Sequence, residues 1–152
     1  MPIKILSVGK KHESWVSEGI ERYQKRLRAP FSIEWVLLPH SSFEADRARQ
    51  EESERILSRL AQDDYVVLLD ERGKALNSPG LSTLLSEPLH ASRTVVLVIG
   101  GAYGVDQSIH QRANHVWSLS PLVFPHQLVR LILTEQIYRA QEIAQGGAYH
   151  HE

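Results

Sequence analysis

Apolar residues follow two periods along this chain, one typical of strands and the other typical of helices. Short apolar runs predict five buried strands, at Ile3–Val8, Ile33–Leu38, Tyr65–Leu69, Thr94–Ile99 and Val116–Leu119. Apolar positions three or four residues apart predict five helices, at Ser14–Arg28, Glu44–Ala61, Ser78–Ser86, Val105–Asn114 and Pro125–Ala144. Because the strands are apolar throughout and alternate with helices, the pattern indicates an α/β fold, with a mostly parallel sheet and helices on both faces.

The residues between these elements predict a single domain. Arg72-Gly73-Lys74 predicts a turn after the third strand, and Pro125 suits the first position of the last helix. The second helix is dense in charge and is therefore predicted to be exposed. No linker, repeat or low-complexity tract divides the 152 residues. That length is typical of one domain, so residues 1–152 are predicted to form one unit.

Composition removes several classes of protein. The chain has no cysteine, which excludes disulfides, a thiolate nucleophile and a Cys-type zinc site. No set of Asp, Glu and His has convincing metal-ligand spacing, so no metal is expected. No apolar run approaches the ~18 residues that span a bilayer, and no apolar leader follows a basic start. We therefore expect a cytoplasmic protein without a membrane partner.

Charge is unevenly distributed, although the net charge is only −1. Residues 1–30 carry seven Lys and Arg against three Asp and Glu, whereas residues 31–64 carry four against eight. The basic side chains of the first segment are Lys10, Lys11, Arg22, Lys25, Arg26 and Arg28, here called the basic patch. Such residues can meet phosphates or form a solvated helix face, and charge alone favours the second interpretation.

Ligands of open parallel sheets bind beyond the carboxyl ends of the strands, which selects four segments. These are Gly9–Lys11, Asp70–Lys74, Gly100–Gly104 and Leu119–His126. The glycines of Gly100–Gly104 allow a sharp turn and a close approach of backbone to ligand. Their spacing is not G-x-G-x-x-G, and they follow the fourth strand rather than the first. The apolar segment after the fifth strand could wall a pocket for a flat ring or pack beneath the last helix.

Four ionisable or aromatic side chains are candidates for chemistry. His126 and Arg130 share a helix face because they are four positions apart. At a helix N-terminus His126 can stay neutral and accept a proton, and Arg130 can hold a phosphate or a carboxylate. Tyr149 could stack on a base and His150 could position or deprotonate a substrate group, whereas the competing interpretation is a frayed terminus.

Six motifs occur along the chain in a fixed order. They are K-I-L-S-V-G-K, L-L-D-E-R-G-K, V-I-G-G-A-Y-G-V, W-S-L-S-P-L-V-F-P-H-Q-L-V-R, T-E-Q-I-Y-R-A and A-Y-H. Together they closely resemble the RlmH family of ribosomal RNA methyltransferases, which belongs to the SPOUT methyltransferases. The resemblance covers nearly the whole chain, and several spaced motifs in one order are far more specific than any single motif.

The resemblance implies an α/β domain of SPOUT type whose C-terminal part forms a trefoil knot, and which works as a homodimer. It implies transfer of a methyl group from S-adenosyl-L-methionine to N3 of a pseudouridine in 23S ribosomal RNA. The substrate would be the ribosome, with the target in the stem-loop that reaches the decoding centre. The alternative is a catalytically silent, SPOUT-like ribosome-binding or assembly factor, and the intact Gly100-Gly101 turn argues against it.

Matched residue by residue, the motifs imply a cofactor side and a substrate side. The cofactor side comprises Leu69, Gly100, Gly101, Gly104, Leu119, Ser120, Pro121, Leu122, Val123 and Phe124. His126 and Arg130 match substrate-side positions. Tyr149 and His150 match a C-terminal motif that is expected to complete the partner subunit's site. One departure is His151, where the family often has Arg or Lys, and a neutral imidazole there would weaken a phosphate contact.

The implied chemistry needs no metal. The protein must hold the methyl donor and N3 in line and help remove the N3 proton. We expect His126 or His150 to accept that proton, and Arg130 to hold the RNA backbone or stabilise the developing anion. The basic patch then becomes a candidate ribosome-docking surface, doubled by the two-fold symmetry of a dimer.

Overall fold

The computed structural model describes residues 3–151, in which five strands alternate with five helices. The strands are β1 (Ile3–Val8), β2 (Ile33–Leu38), β3 (Tyr65–Ala75), β4 (Val95–Ile99) and β5 (His115–Ser118). The helices are α1 (Ser14–Gln24), α2 (Ala45–Leu57), α3 (Ser78–His90), α4 (Gln107–Arg112) and α5 (His126–Ala144). Every predicted element is present, because each has enough apolar residues on one face to bury against the sheet.

The strands form one sheet in the order β2-β1-β4-β3-β5. All four pairings of neighbouring strands are parallel. The predicted α/β class with a parallel sheet is therefore confirmed. The strand order does not test the trefoil knot, which stays a prediction.

Two apolar layers cover the sheet. On one face, Leu85 of α3 and Ile137 of α5 pack in the same cluster as Leu97, and α1 lies against α5. On the other face, Ile56 of α2 and Ile109 of α4 form the second cluster. The central position of β4 explains why its sequence is apolar throughout, since both of its faces are covered.

Strand β3 runs through the predicted turn at Arg72-Gly73-Lys74 and ends at Ala75. Its pairing with β5 shifts there, because Leu69 and Lys74 both lie opposite Trp117. A Cβ on Gly73 would come within 2.6 Å of the Val116 carbonyl oxygen. The glycine therefore marks a close approach of two strands rather than the end of one.

Several helix boundaries differ from the sequence prediction, and α2 (Ala45–Leu57) and α4 (Gln107–Arg112) are both shorter than predicted. Helix α1 ends at Gln24, four residues early, and α3 continues to His90 with Pro88 inside its last turns. Leu89 is buried, so packing holds this turn helical against the weak preference of the residues alone. Pro125 is the N-cap of α5 and not its first helical residue.

Helix α2 is not the exposed helix that its charge density predicts. Ala48 and Ile56 are buried, and so is Glu52, whose exposure is only 3%. The Glu52 carboxylate accepts a hydrogen bond from the Ser41 backbone N–H at 2.9 Å. One charged side chain thus belongs to the interior, beside the glycine turn described next.

Candidate active site

A large cavity, here called cavity 1, lies at the carboxyl ends of β3 and β4 and beneath the segment between β5 and α5. Its volume is about 1110 Å³, slightly above the ~300–1,000 Å³ of typical small-molecule pockets. Nine residues of the predicted cofactor side line it, namely Leu69, Gly100, Gly101, Gly104, Leu119, Ser120, Leu122, Val123 and Phe124. Pro121 is the tenth and does not line the cavity. The fold therefore brings three distant segments of sequence to one cavity.

The glycine turn after β4 needs glycine at two positions for different reasons. Gly104 has a φ of +73°, which side chains other than glycine rarely adopt. A Cβ on Gly101 would lie 2.6 Å from Glu52 Oε1. The turn is closed by a hydrogen bond from the Gly104 N–H to the Gly101 carbonyl at 3.0 Å. Glycine is therefore needed at 104 for the backbone conformation and at 101 for the close packing of the turn against Glu52.

The segment between β5 and α5 supplies an apolar wall. Ser120 Oγ accepts a hydrogen bond from the Leu122 backbone N–H at 2.9 Å, which holds the bend. Leu122 and Val123 are 69% and 84% exposed. Two aliphatic side chains held at the rim of a cavity can cover the face of a flat ring that enters it.

A carboxylate that the sequence analysis placed in a candidate segment, but not among the site residues, lies in the middle of β3. Asp70 lines cavity 1 and pairs with Arg72 at 3.0 Å and His110 at 3.4 Å. The hydrogen bond from Arg72 lowers the pKa of Asp70 against the opposing effect of burial. Cavity 1 therefore contains an ionised carboxylate that is paired with a guanidinium of the same lining. The signal in the sequence was its place directly after an apolar strand.

His126 is positioned at the start of α5 beside β1. Its Nε2 lies 3.5 Å from Ser7 Oγ, a long contact that a substrate could replace. Burial lowers the pKa of His126, as does the nearby Arg130, while a hydrogen bond with the Gly100 backbone partly opposes them. The ring is thus neutral at neutral pH and can accept a proton, as the sequence predicted for this position.

Arg130 is fully buried, with an exposure of 0%. Its Nη1 donates to the Lys10 carbonyl at 2.8 Å and to His12 Nδ1 at 3.2 Å, and its Nε donates to Ser7 Oγ at 3.2 Å. Burial lowers the pKa of Arg130. Its Nη2 has no hydrogen-bond partner among residues 3–151. The Arg130 side chain therefore orders Ser7, Lys10 and His12 by hydrogen bonds. Because it is buried, it does not reach the RNA backbone, which the sequence suggested as its contact.

Two residues around Arg130 were missed by sequence reasoning. Ser7 is fully buried inside an otherwise apolar strand, and that polar interruption is the signal that could have identified it. His12 is held by Arg130, and burial together with this guanidinium lowers its pKa. The charge of Arg130 therefore disfavours the protonated form of both neighbouring imidazoles, His12 and His126.

The C-terminal pair Tyr149 and His150 packs against the other end of α5. The Tyr149 hydroxyl donates to Glu135 Oε2 at 2.9 Å, and its ring lies 4.7 Å from that of Tyr138. Arg139 Nη1 donates to His150 Nδ1 at 3.1 Å. Burial and the Glu135 contact raise the pKa of Tyr149, so its hydroxyl stays protonated.

The four residues predicted on the substrate side therefore form two groups in one chain. His126 and Arg130 lie against the end of β1, while Tyr149 and His150 lie against the stretch of α5 around Glu135. Nine residues separate His126 from Glu135, a rise of about 14 Å along a helix. A single chain does not bring the two groups together.

Within residues 3–151, no group of three or more His, Cys, Asp or Glu side chains is arranged to hold a metal ion. Over the same residues, no helix is both long enough and apolar enough to cross a membrane.

Comparisons with known proteins agree with this geometry. The family model described as "Predicted SPOUT methyltransferase" matches residues 1–150. A protein of Alkalilimnicola ehrlichii named ribosomal RNA large subunit methyltransferase H is 42% identical over 154 residues, covering 99% of each chain. A protein of the same name from Thioalkalivibrio sulfidiphilus is 40% identical over 156 residues, covering 100% of both.

A solved structure supports the fold independently. The crystal structure of a methylase family protein from Neisseria gonorrhoeae superposes with a TM-score of 0.53, covering 99% of this chain and 86% of that one. Identity is only 12%, so this likeness concerns the fold alone. With the family model and the full-length relatives, the matches show that this chain belongs to the SPOUT methyltransferase family, among relatives named ribosomal RNA large subunit methyltransferase H.

Proposed function

We propose that this chain methylates N3 of a pseudouridine in 23S ribosomal RNA, with S-adenosyl-L-methionine as methyl donor and the ribosome as substrate. The observation that carries the proposal is cavity 1, where the glycine turn, the apolar wall and the Asp70 carboxylate meet at one edge of the sheet. The names of the full-length relatives support ribosomal RNA as the substrate.

The lining of cavity 1 fits S-adenosyl-L-methionine. The aliphatic side chains of Leu119, Leu122 and Val123 suit the faces of an adenine ring. The glycine turn lines the same cavity, and the Asp70 carboxylate can accept hydrogen bonds from a polar group of the ligand. When bound, the sulfonium group supplies a methyl carbon that a nitrogen can attack in line.

The residues of the chain then have three tasks. They hold the donor and N3 in line, exclude water, and remove the N3 proton. We assign proton acceptance to His126 rather than His150. Guanidinium nitrogens only donate, so His150 Nδ1 accepts from Arg139 and its proton lies on Nε2. The hydrogen bond with the Gly100 backbone commits one ring nitrogen of neutral His126, and the other nitrogen can accept a proton. Arg130 is then a positioning residue that orders Ser7 and keeps His126 neutral.

We further propose a homodimer. The separation of His126 from Tyr149 and His150 on α5 means that a second copy is needed if all act on one base, as the resemblance implies. The basic patch is exposed in all six members and is proposed to dock on ribosomal phosphates.

The proposed function is tested by mass spectrometry of ribosomal RNA from a strain lacking this gene. We expect one methylated pseudouridine to lose its methyl group and to regain it when the chain is supplied. Complementation with His126→Ala should leave it unmethylated. An unchanged modification pattern in the deletion strain would overturn the proposal, and binding of S-adenosyl-L-methionine without any RNA methylation would favour the silent assembly factor.

A further inference from the structure

A second cavity, here called cavity 2, lies between α5, the start of α3 and the segment after β5. Its volume is about 610 Å³, within the ~300–1,000 Å³ range of small-molecule pockets. Leu119 and Phe124 line both cavities. Cavity 2 is therefore a neighbour of the proposed methyl-donor pocket, although no residue of the predicted cofactor side other than these two lines it.

Two of the residues that line cavity 2 each have a buried N–H group without a hydrogen-bond partner. Trp117 is 3% exposed, and its indole nitrogen, which can only donate, is buried and unpaired among residues 3–151. His150 Nε2 is likewise buried and unpaired. It carries the ring proton because Arg139 donates to Nδ1. A buried donor without a partner loses its hydration without compensation, so each of these groups requires an explanation.

The remaining polar groups of cavity 2 are already paired. The Ser78 hydroxyl donates to Gln136 Oε1 at 2.8 Å, and Gln136 Nε2 donates to Glu135 Oε1 at 2.7 Å. Asn77 Oδ1 accepts from the Gly80 backbone at 2.8 Å. Among the lining residues of cavity 2, the buried side-chain atoms without a partner are thus both donors, and a ligand that pairs with them must present acceptors.

We propose that cavity 2 binds the base that is methylated, a planar pyrimidine-dione, through the N–H groups of Trp117 and His150. Such a ring has two carbonyl oxygens flanking N3, which are the acceptors that the cavity lacks. Leu76, Phe124 and Ile132 supply apolar contacts for its faces. Enzymes that modify a base take it out of its stack and hold it by contacts of these two kinds. The inference rests on the proposed function and deepens it.

This binding mode also assists the reaction. As the N3 proton leaves for the acceptor, the negative charge spreads from N3 onto both carbonyl oxygens. Two N–H groups fixed on those oxygens stabilise that charge. The N3 lone pair then forms the bond to the methyl carbon, while the carbon–sulfur bond breaks and its electron pair stays on sulfur. The donors thereby supply the anion stabilisation that buried Arg130 cannot give by contact.

The test replaces the indole N–H while keeping an aromatic ring. On unmethylated ribosomes, Trp117→Phe should lower single-turnover methyl transfer about 10- to 100-fold, the loss expected for one hydrogen bond to a charged group. The affinity for S-adenosyl-L-methionine, measured by calorimetry, should stay the same. The rate of the variant should also keep rising with pH where the wild-type rate has levelled off, because N3 then loses its proton less readily.

Trp35→Phe is the matched control, since its indole donates to Gln24 at 3.1 Å away from both cavities. Unchanged turnover in Trp117→Phe, or an equal loss in Trp35→Phe, would overturn the inference.

The indole N–H resonances of the wild-type protein provide a second measurement that needs no altered active site. A shift of the Trp117 resonance on adding S-adenosylhomocysteine alone would assign cavity 2 to the cofactor and also overturn it. Absence of RNA methylation by the wild-type chain would instead contradict the proposed function itself.

Discussion

Helix α5 carries two arginines, nine residues apart, in opposite electrostatic surroundings. Near its start, Arg130 is fully buried and bonds to a carbonyl, a hydroxyl and an imidazole, and burial lowers its pKa. Further along, Arg139 pairs with Glu135 at 2.7 Å, and this contact raises its pKa. Among residues 3–151, Arg130 has no carboxylate partner, whereas Arg139 is neutralised by Glu135 where it contacts the C-terminal residues.

The difference separates two roles that the sequence does not distinguish. An uncompensated buried cation is unfavourable for stability and is kept where its field has a use. Here burial and, after it, the field of Arg130 lower the pKa of His12 and of His126. The neutralised Arg139 instead acts locally, on His150 by a direct hydrogen bond and on Tyr149 through Glu135. The first region, around Arg130 and His126, and the second region, around Arg139 and His150, are therefore expected to contribute differently to one reaction.

The largest expected effect is at the first region. His126→Ala should lower methyl transfer to ribosomes about 100- to 10,000-fold, the usual loss on removing a general base. Calorimetry should show unchanged binding of the methyl donor, because His126 does not line cavity 1. His90→Ala, an exposed histidine at the end of α3, is the matched control and should retain full turnover. Near-normal turnover of His126→Ala would contradict the assignment of the proton acceptor.

Subunit mixing tests whether the two regions meet across a dimer. His126→Ala and a chain ending at Gly147 should each be weakly active. Mixed one to one, they should recover about a quarter of wild-type turnover per subunit, since half of the dimers are mixed and each has one intact site. No recovery, despite subunit exchange seen by mass spectrometry, would place both regions in one chain's site.

The smallest effect is a shift along the pH axis. Because the pKa of His126 is lowered, its ring charges only as pH falls below its ordinary value of 6.5. Wild-type activity should therefore be lost only below that pH. Arg130→Met removes one cause of the shift, so the acid limb of kcat/KM should move to higher pH. Arg139→Met, at the other end of α5, should leave the limb in place, and an equal movement there would contradict the comparison.

The sequence predicted a good share of the fold and of the cofactor side. Apolar runs identified all five strands, because a strand covered on both faces admits few polar residues. The glycines after β4 and the apolar segment after β5 identified two walls of cavity 1. The rule that ligands bind beyond strand ends selected the segments that meet at this cavity, and its use as the methyl-donor site stays a prediction. The same patterns could not show that α2 buries Glu52, because its charge density masked its short apolar stripe.

What the sequence determined by itself is the set of elements, since local periodicity reports which face of each one must be buried. Only the tertiary structure decided the environment of each ionisable side chain. The pairing of β1 with β4 places Ser7 and the Lys10 carbonyl beside the start of α5, and this burial turns Arg130 from a predicted phosphate contact into an internal cation. The unpaired N–H groups of Trp117 and His150 likewise lie 33 residues apart in sequence. Burial and partner choice depend on which elements become neighbours, and periodicity along one segment contains no information about its neighbours.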